Sequence, residues 1–126
     1  MPAVQAAVTI PSGDVALEGA LVVPEGARGV VLFAHGSGSS RKSPRNTFVA
    51  RGLRAAGLGT LLFDLLTAAE DADYERRFEI ELLSRRLADG VRFVRDDART
   101  RGLAVGLFGA STGAAAALQV AARFPA

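Results

Sequence analysis

Three continuous apolar runs, separated by segments with helical spacing, constrain the fold of this chain most strongly. They span Gly29–Ala34, Thr60–Leu66 and Leu103–Phe108. A run without polar alternation is typical of a strand that is buried on both faces, as in a parallel sheet covered by helices. The runs therefore predict the central strands of an α/β domain.

The segment before the first run predicts a leading β-hairpin. Apolar residues alternate with other residues from Val4 to Ile10 and again from Val15 to Val23. Such alternation is typical of strands with one buried face, and Pro11–Asp14 between them has the composition of a turn.

Three further segments have the spacing or propensity of helices. The first has Asn46 or Thr47 as its predicted N-cap and ends at Gly57; the second begins at Ile80; the third spans Thr112–Arg123. The charged segment Thr67–Arg77 is predicted to be a loop. No linker or repeat divides the chain, so residues 1–126 are predicted to form a single α/β domain. We expect a mostly parallel sheet of about five strands, flanked by about three helices, behind the hairpin.

Composition excludes several function classes. The chain has no cysteine and one histidine, so we expect no metal ion, and no residue pattern calls for a cofactor. Its net charge of +2 is spread over arginines that lie among acids, which predicts no nucleic-acid binding. The amino terminus lacks the features of a secretory signal, and no apolar stretch is long enough to span a membrane. We therefore expect a cytoplasmic protein that does not bind membranes.

The pentapeptide Gly109-Ala110-Ser111-Thr112-Gly113 has the pattern G-x-S-x-G between a predicted strand and a predicted helix. In that context the pattern predicts a nucleophile elbow, a sharp turn that exposes the serine hydroxyl. Gly109 and Gly113 fit because strand and helix crowd these positions. Ser111 is thus the candidate nucleophile, and the backbone N–H of Thr112 is a candidate donor to an oxyanion.

A second motif, His35-Gly36-Ser37-Gly38, directly follows the run Gly29–Ala34. An oxyanion hole takes its second N–H from a loop at the same sheet edge as the elbow. Gly36 and Gly38 would let the backbone turn close to a substrate, and the N–H of Ser37 is the candidate donor.

Residues 33–46, together with the elbow, resemble the dienelactone-hydrolase-like branch of the α/β-hydrolase superfamily. Some members of that branch are fused to phosphoribosyltransferase domains. The resemblance implies the amino-terminal part of an α/β-hydrolase fold and a small-molecule ester or lactone as substrate. It assigns Ser111 as nucleophile and the N–H groups of Ser37 and Thr112 as the oxyanion hole.

In the resembled family the acid and the catalytic histidine follow the elbow helix, whereas no Asp, Glu or His follows Ser111 here. We therefore expect an incomplete domain that is inactive alone. A complementing carboxy-terminal chain, or a second copy, would pair with the Leu103–Phe108 edge. His35 is expected to belong to the loop architecture rather than to act as base. Asp64 either lines the site or serves as a turn carboxylate.

Two alternatives remain open from the sequence. Gly36–Ser43 differs by one residue from a P-loop and follows a buried strand, which allows a phosphate- or nucleotide-binding module. Alternatively, the chain is a non-catalytic interaction protein, in which case replacing Ser111 by alanine changes nothing.

Overall fold

The computed structural model describes residues 2–35, 41–73, 79–110 and 112–123. Its elements follow the predicted alternation of strands and helices. In chain order they are β1 (Pro2–Ser12), β2 (Val15–Pro24), β3 (Gly29–Ala34), α1 (Pro44–Ala55), β4 (Gly59–Phe63), α2 (Ala68–Asp71), α3 (Ile80–Asp96), β5 (Ala104–Gly109) and α4 (Thr112–Arg123).

The strands form one five-stranded sheet with the order β1-β2-β4-β3-β5. β3 pairs in parallel with both β4 and β5, whereas β2 pairs antiparallel with β1 and with β4. The predicted α/β architecture with a leading hairpin is confirmed, and its sheet is mixed rather than purely parallel. The reason is that the hairpin presents β2, which runs opposite to β4, to the parallel strands.

Helices cover both faces of the sheet, as the apolar runs predict. On one face, α3 and α4 pack over the larger core, where Leu87, Val91 and Val120 are almost completely buried. On the other face, Ala50 of α1 packs with Phe33 and Leu62. Each fully buried leucine or valine contributes roughly 1.5–3 kcal/mol relative to an exposed one, so these stripes fix the helices on the sheet.

Helix α1 begins earlier than the sequence predicts, because Pro44 occupies its first turn and Ser43 is its N-cap. Asn46 and Thr47, the predicted caps, lie inside the helix; the N–H of Asn46 donates to the Ser43 hydroxyl at 3.4 Å. Proline is favoured at this position because it needs no hydrogen-bond acceptor. Pro44 has no N–H, and the N–H of Asn46 already donates to Ser43, so the start of α1 offers few free N–H groups to a phosphate. This arrangement weighs against the P-loop alternative.

The segment after β4 also differs from its prediction. The strand ends at Phe63 rather than Leu66: the N–H of Asp64 still donates to the Glu18 carbonyl of β2 at 3.0 Å, but the N–H of Leu65 donates to the His35 imidazole instead of to a strand. The predicted loop 67–77 contains the short helix α2, and its residues 74–77 lie outside the described ranges. Within the ranges the structure describes, none of the helices combines the length and apolarity that crossing a bilayer requires.

Candidate active site

The carboxyl ends of β3, β4 and β5 lie at one edge of the sheet, where the sequence places the candidate site. Ser111 and the loop residues Gly36, Ser37 and Gly38 fall outside the described residues. The other candidates are described: His35, Asp64, Gly109, Thr112 and Gly113. The described part of the site thus consists of the outer residues of the two motifs, together with Asp64.

The connection between β5 and α4 is tight. The N–H of Gly113 donates to the Ala110 carbonyl at 3.0 Å, which closes the turn between strand and helix. A Cβ at Gly109 would lie 2.6 Å from the Gly113 carbonyl oxygen. A non-glycine side chain cannot fit there without a backbone shift, so the glycine makes the sharp turn possible.

The start of α4 is seated directly on the end of β3. A Cβ at Gly113 would lie 2.6 Å from the His35 carbonyl oxygen and closer still to that of Ala34. In the sheet, Ala34 is the register partner of Gly109. The two motifs therefore converge: the helix that follows the elbow contacts the backbone from which the His35-Gly36-Ser37-Gly38 loop departs.

Thr112 is the first residue of α4. Among the described residues, its hydroxyl is the buried side-chain polar atom that has no hydrogen-bond partner. The first N–H groups of a helix have no partner within that helix and lie at the positive end of its dipole. At Thr112 this positive end of the helix dipole lies at the backbone N–H and not at the side chain.

His35 is buried, with 6% of its surface exposed. Its Nε2 accepts a hydrogen bond from the N–H of Leu65 at 2.8 Å. This bond uses the lone pair that a general base would offer to a serine hydroxyl. In this arrangement His35 links the end of β3 to the segment after β4.

Asp64 binds the other end of the same loop. Its carboxylate accepts a hydrogen bond from the Arg41 N–H at 2.8 Å and a second from the Arg41 guanidinium, which also lies 3.7 Å from Glu18. Asp64 and His35 both line a cavity of about 510 Å³ at this edge. The carboxylate therefore fastens a turn and also borders a cavity.

A partly buried ion pair that the sequence does not predict lies behind this edge. Arg86 of α3 donates from both terminal nitrogens to the two carboxylate oxygens of Glu70, each at 2.7 Å. The hydrogen bond from Arg86 lowers the pKa of Glu70 to about 2, against the opposing effect of burial, and bonding to Thr67 lowers it further. The pattern Thr-x-x-Glu at residues 67–70, a capping box, could have indicated α2.

In the described parts of the chain, no group of three His, Asp or Glu side chains is placed to hold a metal ion.

No protein-family model matches the chain.

Comparison with solved structures identifies the fold. The dienelactone hydrolase from Anabaena variabilis matches 97% of this chain with a TM-score of 0.91 and 52% sequence identity. The chain has the fold of the amino-terminal part of an α/β-hydrolase and is similar there to this dienelactone hydrolase. It spans 58% of the Anabaena chain.

More distant α/β-hydrolases share the same fold. A cold-adapted esterase from an Arctic intertidal metagenomic library matches 94% of the chain, with a TM-score of 0.74 and 19% identity, and the chain spans 55% of it. The dienelactone hydrolase-like promiscuous phosphotriesterase P91 from metagenomic libraries also matches 94%, with a TM-score of 0.73 and 19% identity; the chain spans 53% of it. At this identity the match shows the fold alone.

A curated relative is longer. A protein of Mycobacterium tuberculosis named "Putative phosphoribosyl transferase" is 53% identical over 115 residues, which are 91% of this chain. The chain spans about a quarter, 26%, of that protein. The described elements thus correspond to one part of longer relatives.

Proposed function

We propose that this chain carries the nucleophile and the oxyanion hole of a serine hydrolase that cleaves small carboxylic esters or lactones. In this proposal Ser111 attacks the carbonyl carbon, and the N–H groups of Ser37 and Thr112 stabilise the oxyanion that forms. The observation that supports it most is the tight β5–α4 connection, seated through Gly113 on the end of β3. Such a connection is the context that gives G-x-S-x-G its catalytic meaning.

In this proposal the acid and the base that activate Ser111 lie outside the described residues. His35 is engaged with Leu65, and no Asp, Glu or His follows Ser111 in the sequence. A serine hydroxyl needs a base to react near neutral pH. The Anabaena structure extends beyond the 58% that this chain matches, and we assign the missing acid and base to the corresponding part of the fold.

The surface at which that part would dock is the free side of β5. Among the described strands, β5 is the outermost strand on one side of the sheet. It lies beside a groove of about 750 Å³ between β5, α3 and α4. Leu107 and Leu118 line the groove, and Leu118 is 74% exposed. An apolar edge strand pairs readily with a further strand. We propose a carboxy-terminal segment of the α/β-hydrolase fold as its occupant, in preference to a second copy, because only such a segment would also bring the acid and the base.

The proposal is tested by complementation. A chimera joins this chain to the part of the Anabaena dienelactone hydrolase that follows the matched region, and its hydrolysis of short-chain p-nitrophenyl esters and of a lactone is measured. We expect the chimera to be active and the Ser111→Ala variant to lose on the order of 10⁶ in kcat, as when a triad serine is removed. The matched control is Ser43→Ala, which removes only the α1 N-cap, worth about 1 kcal/mol of stability.

The competing interpretations give different results in the same experiment. A non-catalytic interaction protein predicts a chimera that is folded by circular dichroism yet has the same background rate with and without Ser111. A phosphate-binding module predicts ATP or inorganic phosphate binding that is lost when Lys42 is replaced. Either result would reject the hydrolase proposal. The expected cytoplasmic location remains a prediction, which fractionation of cells that express the protein would test.

A further inference from the structure

Both ends of the loop that carries the candidate oxyanion donor are fastened to two consecutive residues after β4. At one end, Nε2 of His35 accepts the N–H of Leu65 at 2.8 Å. At the other end, the Arg41 N–H donates to the Asp64 carboxylate at 2.8 Å. The segment that begins at Asp64 therefore contacts both the residue before the loop and the residue after it.

That segment is itself held from behind by the ion pair of Arg86 and Glu70. One nitrogen of the Arg86 guanidinium donates to the Leu65 carbonyl at 3.2 Å. Glu70 accepts the N–H of Thr67 at 2.9 Å, and the Glu70 N–H donates to the Thr67 hydroxyl at 3.2 Å. The Arg86 side chain is 8% exposed and that of Glu70 is 17% exposed. Hydrogen bonds thus run without a break from Glu70 through Arg86 and Leu65 to His35.

Stability alone is a weak reason for an ion pair at this position, with Arg86 buried and Glu70 partly buried. Apolar side chains of similar volume often stabilise a core at least as well as a buried ion pair does. A guanidinium differs from them in its fixed, planar set of donors, which here reach two carboxylate oxygens and a backbone carbonyl at once. The pair is therefore suited to fixing the geometry of the backbone between Asp64 and Thr67.

We propose that Arg86 and Glu70 are positioning residues of this hydrolase, which set the oxyanion loop through the backbone of Leu65 and the imidazole of His35. The inference rests on the proposed function, because it presumes that the N–H of Ser37 is an oxyanion donor. It assigns the pair no contact with substrate. Displacement of a catalytic group by about 1 Å can cost about 100-fold in rate.

The test uses three variants and two readouts. Arg86→Met removes the donors, Glu70→Gln keeps the shape but removes the charge, and Arg99→Met is the control. Arg99 makes an equivalent two-point pair with Asp97, at 2.9 and 3.0 Å, but lies before β5 at the opposite edge of the sheet. The first readout is the ¹⁵N shift of the His35 imidazole and the exchange rate of the Leu65 amide in the 126-residue chain. The second is kcat and KM of the ester-cleaving chimera.

We expect Arg86→Met to shift the His35 resonance, to speed exchange at Leu65 and to lower kcat by about 10- to 100-fold with little change in KM. Glu70→Gln should cause the same changes to a smaller extent, and it provides the test if Arg86→Met does not fold. Arg99→Met should change neither readout. Unchanged His35 and Leu65 signals in a folded Arg86 or Glu70 variant would overturn the proposal, as would altered signals with wild-type kcat. A chimera without Ser111-dependent activity would instead reject the proposed function, and the resonances would then report the link to His35 separately.

Discussion

Replacing Gly113 by alanine tests whether the start of α4 is packed on the end of β3 as tightly as the structure shows. The new Cβ would lie 2.6 Å from the His35 carbonyl oxygen and nearer still to that of Ala34. Real Cβ atoms essentially never come within 3.0 Å of such atoms. Because both obstacles are backbone carbonyls, no side-chain rotation relieves the clash, and α4 must move away from the sheet.

The size of the effect follows from that movement. Inserting a methyl group into a well-packed site costs typically 1–3 kcal/mol, and we expect about 3 kcal/mol here because the backbone must yield. Such a loss is a large fraction of the 5–15 kcal/mol that is usual for a domain. Urea unfolding followed by circular dichroism measures it as a lower midpoint at constant slope.

Gly106→Ala is the matched control for this substitution. Gly106 lies in the same strand–helix unit, but a Cβ there would meet only the Val31 side chain, at an ordinary 3.6 Å. We expect its unfolding free energy to stay within about 0.5 kcal/mol of the wild-type value. A Gly113→Ala variant as stable as Gly106→Ala would refute the described packing of α4 on β3.

Three further substitutions test separate parts of the structure. Thr112→Val removes a buried hydroxyl without a partner, so it should leave the unfolding free energy unchanged or raise it by about 1 kcal/mol. It should also spare ester cleavage, because the proposed donor is the backbone N–H. A lower unfolding free energy or a loss of ester cleavage would contradict this expectation. Gly52→Ala, in the interior of α1 with open space around its Cβ position, should raise the free energy by about 1 kcal/mol in urea unfolding, and no gain would argue against that helix. Because the pKa of Glu70 is lowered to about 2, its pairing with Arg86 stabilises the chain fully above pH 4.5, and this stabilisation is lost as the pH falls through 2. The difference in unfolding free energy between the wild type and Glu70→Gln should therefore shrink over that window. A constant difference would refute the pairing.

Elements with a strong burial pattern could be predicted from the sequence. The run Gly29–Ala34 is a strand with the predicted bounds, and α3 begins at Ile80 as its spacing indicates. In both cases the residues that face the core recur with the period of the element, so sequence and structure carry the same information.

The end of β4 shows where such patterns stop being informative. Leu65 and Leu66 are apolar and buried, and so they extend the predicted strand, yet they lie in a bend. Apolarity reports burial and does not by itself report an extended backbone. The N–H of Asp64 still donates to the Glu18 carbonyl in register with the β2–β4 pairing, whereas the next N–H, that of Leu65, donates to the His35 imidazole, which is a contact between distant parts of the chain.

The ion pair of Arg86 and Glu70 could not be predicted from the sequence for a similar reason. Arg86 lies on the buried stripe of α3, between Leu83 and Leu87, where a charge is unexpected unless it is paired. Its partner Glu70 belongs to another element, and only the fold brings the two together. The mixed character of the sheet also depends on a tertiary choice, the pairing of β2 with β4.

The most direct test of the central claim is to locate the covalent adduct of a fluorophosphonate probe. The chimera is treated with the probe, digested and analysed by mass spectrometry, with Ser111→Ala treated in parallel. The proposal predicts one adduct, on Ser111, which is absent from the variant. An adduct on another residue, or equal labelling of the variant, would contradict the assignment of Ser111 as the nucleophile of this fold.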